Sequence, residues 1–501
     1  MIKILDTINR FVWGFPALVL IVSVGIYLSV KSGWIQVRFL PRALRSFFRT
    51  TTPNEKEQGI SPFRAMCTAL AATVGTGNLV GVAGAIAIGG PGAIFWMWIC
   101  GILGMVTKFA EATLAVRYRI TDNEGNYLAG PMYMVRQGMG KRWQFLAGVY
   151  CFFGVIAAFG VGSATQINAV LDGINSAIKS FGGAESRTLN FLIGIGIAIL
   201  SVAVLFGGAK RIGAVAAFLV PFASVFYLIL CIGVLILRSS ALPDAFTSII
   251  KGAFCPEAVT GGMLGSAFQA LRIGASRGVF TNEAGMGTAS MAHGAAQVKH
   301  PVEQGLMGIM EVFIDTIVIC TMTALVILCS GISISYGRDL GMEITSAAFS
   351  YVYGGWVNIP LAVSLCCFAI ATVFGWGLYG IRCAEFLFGK GAWKCFAIMQ
   401  AISIIFGAIS NTDTVWSLSE TANGLMAIPN LIILAYLSPE LFRLINEHKK
   451  LFDRKTVHGG TYENFSKCKS LQTVSHAEIP PAGCAGKEPG QEGLSPEYRS
   501  A

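Results

Sequence analysis

The sequence predicts an all-α polytopic membrane protein with about eleven transmembrane helices. Of its 501 residues, 54% are hydrophobic and only 13% are charged, whereas soluble globular proteins carry about 25% charged residues. Apolar runs such as those at 11–30 and 359–380 reach the ~20 residues that a helix needs to cross a bilayer. The first run follows Lys3, Asp6 and Arg10 and has no small-residue cleavage site after it, so we interpret it as a retained span and not as a signal peptide.

The apolar runs define the candidate spans and the division of the chain. One leading helix followed by ten spans is compatible with two inverted repeats of five helices, an architecture common in secondary transporters. We therefore divide the chain into an extra N-terminal helix with a basic loop (1–62), a first repeat (63–237), a second repeat (238–437) and a tail (438–501). The spans lie at 12–30, 63–88, 93–116, 146–171, 189–207, 213–237, 259–280, 306–330, 357–380, 393–410 and 414–437.

Positively charged residues predict the orientation of these spans, because Lys and Arg accumulate in short cytoplasmic loops. The connection between the first two spans holds six of them, and the bias keeps its sign along the chain. We expect the N-terminus outside and the C-terminus in the cytoplasm, in a bacterial plasma (inner) membrane. The Pro-, Gly- and Glu-rich end, EIPPAGCAGKEPGQEGLSPEYRSA, predicts a largely disordered tail.

Composition and motifs exclude several classes of protein. The net charge of +10 is scattered between hydrophobic runs and is not clustered with aromatic residues, so topology explains it better than a nucleic-acid partner. Most of the thirteen cysteines lie in apolar runs without CxxC spacing and are interpreted as small hydrophobic residues. The chain has neither HExxH nor GxxxxGK[ST], which argues against a zinc protease and an ATP-driven pump.

A glycine-rich segment at 71–92, AATVGTGNLVGVAGAIAIGGPG, lies within the second span. Glycine makes a helix interior about 1 kcal/mol less stable than alanine does. The glycines serve either close helix packing or a helix break whose freed backbone groups face a ligand. At 75–78 we favour the break, because Thr76 and Asn78 add polar atoms, and for the later glycines we favour packing. A dinucleotide loop would need GxGxxG directly after a strand, and this segment is GxGxxxG.

Long motifs in this sequence resemble those of the alanine or glycine:cation symporter family. The resemblance implies a sodium-coupled importer of alanine or glycine, with glutamine carried by some relatives, and an eleven-helix, leucine-transporter-like fold. Sodium would be the coupling ion and not a prosthetic group, the bilayer would be the partner, and the protein would not be an enzyme. The motifs are GTGNLVGVAGAI with the following GGPGAIFWMWICGILGMVTKFAEATLAVRYR, GPMYM, RGVFTNEAGMGTASMAHGAA, PVEQGLMGIMEVFIDTIVICTMTALVIL, FAIATVFGWGLYG and ANGLMAIPNL.

An interrupted helix suits a zwitterionic amino acid. It exposes N–H groups at the start of one half and carbonyl groups at the end of the other, and these match the carboxylate and the ammonium. We assign Thr76, Gly77 and Asn78 to the substrate carboxylate. The carbonyls near Ala72 and Thr73 are assigned to sodium or to the ammonium.

Two further helices contribute candidate pocket residues. The resemblance implies that Gln166 lies in the pocket, whereas Asn168 is equally compatible with a contact between helices. Thr372 and Trp376 are four residues apart and share a helix face. The resemblance implies that Trp376 limits side-chain size and that Thr372 offers a hydroxyl to substrate or sodium; an interfacial position of Trp376 is the alternative.

Ionisable residues inside predicted spans are functional candidates. Asp315 and Thr316 offer hard oxygen ligands for sodium or a gating role, and protonation and structural pairing stay open as alternatives. Glu311 lies one turn before Asp315. Lys108 and Glu111 are expected to form a local ion pair near the cytoplasm.

The polar motif at 277–296 is expected at the inner face. Arg277 and Glu283 are candidates for an inner gate or for a fixed ion pair, and we expect His293 to cap a helix or face solvent. The function predicted from all these features is sodium-driven uptake by alternating access. A proton-coupled or glutamine-transporting protein of the same fold is the nearest alternative, and a channel or a nutrient sensor is the alternative of another class. A channel would need a visible pore-lining ring or filter.

Overall fold

The computed structural model describes residues 16–49, 59–256, 267–337, 341–410 and 413–457. The predicted disorder beyond residue 457 lies outside these ranges. So do the first residues of the first predicted span and residues 259–266 of the seventh.

The chain divides into two units, Met1–His448 and Lys449–Ala501. Of the second unit, the structure describes the end of the last helix, through Val457. The last helix crosses this boundary, and all side-chain contacts discussed below belong to the first unit. The division into an N-terminal part, two repeats and a tail stays a prediction.

The first part of the described chain is helical except for one hairpin, in which Ile120 pairs with Leu128 in antiparallel register. Short 3-10 turns precede two of its helices, at Lys141–Trp143 and Ser239–Ala241. The elements are α1 (Pro16–Ser32), α2 (Ile35–Arg38), α3 (Leu40–Arg49), α4 (Pro62–Thr73), α5 (Val82–Gly89), α6 (Gly92–Arg117), β1 (Ile120–Thr121), β2 (Tyr127–Leu128), α7 (Pro131–Gly138), α8 (Gln144–Phe159), α9 (Thr165–Ser180), α10 (Arg187–Leu205), α11 (Gly208–Leu237) and α12 (Leu242–Phe254).

The second part is also helical, and a 3-10 turn at Gly355–Val357 leads into its longest buried helix. That helix ends where Gly389 adopts a positive φ of 90°, a conformation that glycine reaches without strain. The elements are α13 (Ala267–Asn282), α14 (Ala289–His293), α15 (Pro301–Val312), α16 (Thr321–Ser330), α17 (Gly341–Tyr353), α18 (Asn358–Phe388), α19 (Ala392–Ile409) and α20 (Asp413–Val457).

Many of these helices can cross a membrane. Within the described ranges, eight helical segments are long and apolar enough, and a bent pair, Pro62–Thr73 with Gly77–Gly89, raises the number to nine. α1 is a shorter apolar helix. The all-α polytopic class is therefore confirmed, while the number of eleven spans and the inverted repeat stay predictions.

Three helices are interrupted by π-helical turns, at Gly77–Gly81, Gly160–Ala164 and Phe313–Cys320. A π turn leaves the regular hydrogen-bond ladder and is frequent at functional sites. Each of these turns lies within or beside a segment that the sequence marks as polar inside an apolar span. The irregular backbone therefore coincides with the candidate site.

The predicted break in the glycine-rich segment is present. α4 begins with a side-chain cap, in which Ser61 accepts a hydrogen bond from the Arg64 N–H, and with Pro62 at its first position, both of which favour helix initiation. It ends at Thr73, where Val74 turns to an extended conformation, and the axis bends by 54° before the helix resumes.

The later glycines act in packing and turning, as expected. Gly90 has a positive φ of 74° and connects α5 to α6. The backbone of Gly92 lies against the backbone of Gly252, because a Cβ built on Gly92 would be 2.0 Å from the Gly252 carbonyl carbon. α6 can therefore approach α12 closely, and most of α6 is buried.

Candidate functional site

Three predicted residues meet at Gly75, in the break. A Cβ built on Gly75 would lie 2.7 Å from the Thr372 Oγ1 and 3.5 Å from the Gln166 Oε1. The Gly75 N–H donates to the Asn78 Oδ1 over 2.9 Å, so the side chain of Asn78 closes the turn. Only glycine fits at this position, between a hydroxyl and an amide oxygen, and we call the position the Gly75 junction.

Gln166 presents an acceptor to the Gly75 junction. Its Nε2 donates over 2.9 Å to the Val161 carbonyl, which also accepts from the Thr165 hydroxyl, and more weakly to the Thr76 Oγ1 at 3.4 Å. Its Oε1 is buried and has no hydrogen-bond partner among the described residues. A buried acceptor without a donor costs roughly 1–3 kcal/mol. A ligand N–H group would remove that cost.

Thr372 and Ala72 lie on the two helices that face each other here. The Thr372 hydroxyl donates to the Phe368 carbonyl over 3.0 Å, which leaves its lone pairs for another partner. Gly375 allows the close approach, because a Cβ there would be 2.9 Å from the Ala72 nitrogen. The last carbonyls of a helix lack intrahelical partners, so the end of α4 at Ala72 and Thr73 supplies hard oxygen atoms opposite Thr372.

Asn78 connects the break to the predicted ion-site residues. Its Nδ2 donates to the Asp315 Oδ1 over 2.8 Å and to the Asp315 carbonyl over 3.2 Å. The Thr316 hydroxyl donates to the Asp315 Oδ2 over 2.8 Å and accepts from the Asn282 Nδ2 over 3.1 Å. The side chain of Asn78 is thus engaged by protein groups, and its backbone N–H donates to the Gly75 carbonyl over 3.3 Å, so a carboxylate bound at this position would share that N–H.

Gly77 follows the break, and its backbone lies against Thr281. A Cβ built on Gly77 would be 2.8 Å from the Thr281 Cγ2. The Thr73 hydroxyl turns back onto its own helix, 3.4 Å from the Ala69 and Leu70 carbonyls. Like that of Thr372, the donating hydroxyl of Thr73 keeps its lone pairs, so the carbonyl and the hydroxyl oxygen of Thr73 are both candidate ligands.

Trp376 is fully buried, which excludes the alternative of an interfacial position. Its Nε1 donates to the Glu283 Oε1 over 2.9 Å. Its side chain packs on Gly162 in a π turn, because a Cβ built on Gly162 would be 2.2 Å from the Trp376 Cβ. The indole is therefore fixed one helical turn beyond Thr372.

The structure corrects the interpretation of Glu283. Its second oxygen accepts from the Thr288 hydroxyl over 2.6 Å, so Trp376 and Thr288 occupy both carboxylate oxygens, and Arg277 is not their partner. Glu283 is buried and has a positive φ of 52°, a conformation that is strained for a non-glycine residue and that is often found at functional sites. The gate role of Arg277, which is half-buried on α13, stays a prediction.

A buried ionic network lies beyond Trp376, and sequence reasoning missed its arrangement. The Lys108 Nζ lies 2.9 Å from the Glu311 Oε1, and the His293 Nε2 lies 2.8 Å from the Glu311 Oε2. The other ring nitrogen of His293 lies 2.7 Å from the Gln304 Nε2. Two expectations are wrong: Lys108 pairs with Glu311 and not with Glu111, and His293 is fully buried and does not face solvent.

Glu111 binds the turn between α13 and α14. Its Oε1 accepts from the Gly285 N–H over 2.9 Å, the Gly287 N–H over 3.0 Å and the Asn430 Nδ2 over 2.9 Å. Both glycines have positive φ, at 93° and 77°, which aims their N–H groups at the carboxylate. The glycine spacing in NEAGMG was the available signal, but it does not name the partner.

Asn168, which the sequence left open, contacts another helix. Its Nδ2 donates to the Gly407 carbonyl over 2.7 Å, and the residue is half-buried. This bond joins α9 to α19, so the structure supports the helix-contact interpretation of Asn168.

Two cavities lie away from the break. One of 410 Å³ is lined by the β1–β2 hairpin, including Asp122 and Tyr127, and by Ile381, Arg382 and Glu385 at the end of α18. The other, of 770 Å³, is lined almost wholly by apolar side chains of α9, α10, α11 and α18. This larger cavity offers few groups that could bind a zwitterion and is not the candidate substrate site. No group of three or more His, Cys, Asp or Glu side chains suited to a metal ion occurs within the described ranges.

A family model and several known proteins are similar to this chain in sequence. The model of the sodium:alanine symporter family matches residues 1–459. The sodium/alanine symporter AgcS of Methanococcus maripaludis is 40% identical over 443 residues, which cover 87% of this chain and 95% of that protein. The probable sodium/glutamine symporter GlnT of Bacillus subtilis is 36% identical over 88% of this chain and 89% of its own length.

A solved structure has the same fold. The crystal structure of MhsT in complex with L-phenylalanine aligns with a TM-score of 0.55 over 76% of this chain and 90% of that chain, at 16% identity. At this identity the similarity concerns the fold alone. The match to the family model and the identity to AgcS extend over most of the sequence. The chain belongs to the sodium:alanine symporter family.

Proposed function

We propose that the protein is a sodium-coupled symporter that imports alanine, glycine or both by alternating access. The family consists of amino-acid symporters for which sodium is the coupling ion and not a prosthetic group. The observation that carries the proposal is the Gly75 junction. There, a broken helix faces the Thr372 hydroxyl and an unpartnered Gln166 oxygen.

The substrate carboxylate would bind at the start of the second half of the broken helix. The N–H groups of Thr76, Gly77 and Asn78 belong to the positive end of that half, and broken helices in transporters present such ends to anionic substrate groups. The Thr76 hydroxyl adds a side-chain donor. The side chain of Asn78 would act indirectly, by holding the turn closed on Gly75.

The ammonium would bind on the opposite side of the Gly75 junction, at the Gln166 Oε1. Sodium would bind at the carbonyls of Ala72 and Thr73 together with the Thr372 hydroxyl, since unwound backbone carbonyls are typical sodium ligands in transporters. Asp315 and Thr316 are the second candidate ion site. Because Asn78 contacts both Gly75 and Asp315, an ion at Asp315 would affect the shape of the break.

Trp376 would set the upper limit of substrate size. Its packing on Gly162 and its bond to Glu283 leave the indole little freedom, which favours the small side chains of alanine and glycine. The relative named as a probable glutamine symporter makes glutamine the substrate to test against them.

The finer architecture belongs to the same proposal. We infer eleven spans, with one extra N-terminal helix before two inverted repeats of five, as in leucine-transporter-like proteins. The N-terminus would lie outside and the C-terminus in the cytoplasm, in a bacterial plasma (inner) membrane. Arg277 would belong to the inner gate.

Uptake of labelled alanine into proteoliposomes tests the function. An inward sodium gradient is expected to drive accumulation, and unlabelled glycine is expected to compete better than glutamine. Accumulation driven by a proton gradient without sodium would favour the proton-coupled alternative. Alanine binding without accumulation under either gradient would contradict symport and favour a sensor. Empty liposomes and the variant Glu124→Gln, which changes an exposed loop residue, are the controls.

A further inference from the structure

The buried network beyond Trp376 contains more acid than base. Lys108 and Glu311 form one ion pair. Neither Glu111 nor Glu283 forms an ion pair with a described cationic side chain. The titratable groups that interact electrostatically with Glu111, from α6, α15, α8 and α18, are Lys108, Glu311, Tyr150 and Tyr379. His293 on α14 contacts Glu311, and Glu283 in the turn before α14 interacts with Lys108 and Glu311.

His293 does not balance the excess of acid. Its Nδ1 lies 2.7 Å from the Gln304 Nε2 and its Nε2 lies 2.8 Å from the Glu311 Oε2. Even when His293 is counted with Lys108, two basic groups stand against three buried carboxyl groups, and an unpaired buried charge is strongly unfavourable.

The hydrogen bonds of Glu111 are distributed unevenly. Its Oε1 accepts three N–H donors, while its Oε2 is buried and has no partner among the described residues. Both oxygens of an ionised carboxylate accept hydrogen bonds, whereas a carboxylic acid has one carbonyl oxygen that accepts and one hydroxyl that donates. Oε1 is therefore the accepting oxygen of Glu111, and Oε2 is the oxygen on which a proton can be placed.

Two hydroxyls near Glu111 are suited to the second oxygen. The hydroxyls of Tyr150 and Tyr379 are buried and have no partner in the described part of the chain, and both lie within electrostatic range of Glu111. Either one could accept from an Oε2–H through a bridging water, since buried waters characteristically join such groups.

We propose that Glu111 is a proton-binding site, which holds a proton on Oε2 in this conformation and exchanges it during transport. On release, the O–H bond breaks, the electron pair stays on the carboxylate and the proton passes to water at the end of α6 that carries Arg117. This end is six residues away, or about 9 Å along the helix.

The turn that binds Glu111 links this proton to the substrate site. It contains Gly285 and Gly287, which donate to Glu111, and begins at Glu283, which holds Trp376. Ionisation of Glu111 strengthens its bonds to the two glycine N–H groups and changes how firmly the turn is held. The effect on transport rests on the proposed function, whereas the proton site itself does not.

Infrared spectroscopy of the full-length protein tests the proton site. Glutamine keeps the accepting oxygen but cannot hold the proton, so Glu111→Gln is expected to remove one carboxylic-acid carbonyl band seen in wild type near neutral pH. The control Glu124→Gln is expected to keep that band. Identical spectra of wild type and Glu111→Gln in this region would overturn the proposal.

A second variant tests the proton site even if Glu111→Gln does not fold. The double variant Tyr150→Phe/Tyr379→Phe keeps Glu111 and removes both hydroxyls. It is expected to shift the frequency of the acid band, because the O–H group loses its acceptor. A band at the wild-type frequency would contradict the assignment of these hydroxyls.

Uptake measured between about pH 5 and about pH 9, a range wide enough to titrate a perturbed carboxyl, tests the link to transport. Wild type and Glu124→Gln are expected to share a pH-dependent profile, and Glu111→Gln is expected to lose that dependence. Equal profiles in all three would overturn the link. Absence of alanine uptake by wild type at every pH would count against the proposed function, while the infrared result would still decide the proton site.

Discussion

Trp376 donates its indole N–H to the carboxylate of Glu283 over 2.9 Å, although the two residues are 93 positions apart in the sequence. The bond joins the predicted wall of the substrate pocket to the turn that also binds Glu111. If Trp376 limits substrate size as proposed, one hydrogen bond connects that limit to the buried network.

We expect Trp376→Phe to weaken alanine binding. The ring volume is largely kept, but the Glu283 Oε1 loses its donor, and an unpaired buried acceptor costs about 1–3 kcal/mol, or roughly tenfold in affinity. Trp376→Ala is expected to lose uptake while the protein still inserts into the membrane. Equilibrium binding of labelled alanine measures the effect, and wild-type affinity in Trp376→Phe would contradict it.

Gly75→Ala is expected to abolish uptake. Its new methyl group would lie 2.7 Å from the Thr372 Oγ1, closer than van der Waals contact allows. It would therefore displace the groups of the Gly75 junction to which the substrate is assigned. Gly140→Ala is the matched control, because a Cβ there meets nothing within 4 Å. Uptake by Gly75→Ala at the level of Gly140→Ala would show that the Gly75 junction is not the binding site.

Gln166 and Asn168 are expected to separate binding from stability. Gln166→Ala removes the unpartnered amide oxygen and should reduce alanine affinity by about tenfold. Asn168→Ala removes the bond between α9 and α19 and should lower Tm with little effect on affinity, since such contacts in membranes average about 0.6 kcal/mol. Thermal unfolding and binding measured on both variants decide this, and the opposite pattern would reverse the assignment.

Lys108→Ala is expected to destabilise the protein strongly. It leaves the fully buried Glu311 without its cation, and breaking a buried pair costs about 3–5 kcal/mol. Lys179→Ala provides the comparison, because Lys179 pairs with Glu185 at an exposed site, with side chains 62% and 50% accessible, where a pair contributes about 0–1 kcal/mol. Thermal unfolding in detergent should separate the two variants, and equal Tm values would contradict the prediction.

Asp315→Asn is expected to change the sodium dependence of uptake more than the alanine affinity. The variant keeps oxygen and nitrogen atoms for its bonds to Asn78 and Thr316 but removes the negative charge that would attract the ion. The sodium concentration for half-maximal uptake should rise by about tenfold, which corresponds to about 1.4 kcal/mol. Asp244→Asn, at an exposed position, is the control, and an unchanged sodium dependence in Asp315→Asn would remove Asp315 from the ion site.

Local patterns were sufficient for part of the site. The run GTGN combines glycines with polar residues inside an apolar span, which predicts the break that the structure has between Thr73 and Gly77. The spacing of Thr372 and Trp376 gives a shared helix face. These inferences succeed because they depend on residues within one or two helical turns of each other.

The partners of the buried ionisable residues were not predictable in this way. Lys108 was expected to pair with Glu111, three positions away, but it pairs with Glu311, 203 positions away. Glu111 instead contacts Asn430, 319 positions away. In a membrane interior the strongest polar partner is selected by which helices pack together, and charge spacing along one helix does not contain that information.

By itself, the sequence determined the membrane class, the predominance of helices and the position of the broken helix. These follow from hydropathy, span length and the low helix stability of glycine, all of which are local properties. The tertiary structure alone decided that Gln166 and Thr372 converge on Gly75, that Glu283 holds Trp376 and that Glu111 accepts all its hydrogen bonds on one oxygen. These relationships depend on the packing of distant helices, which brings groups far apart in the chain into the same buried space.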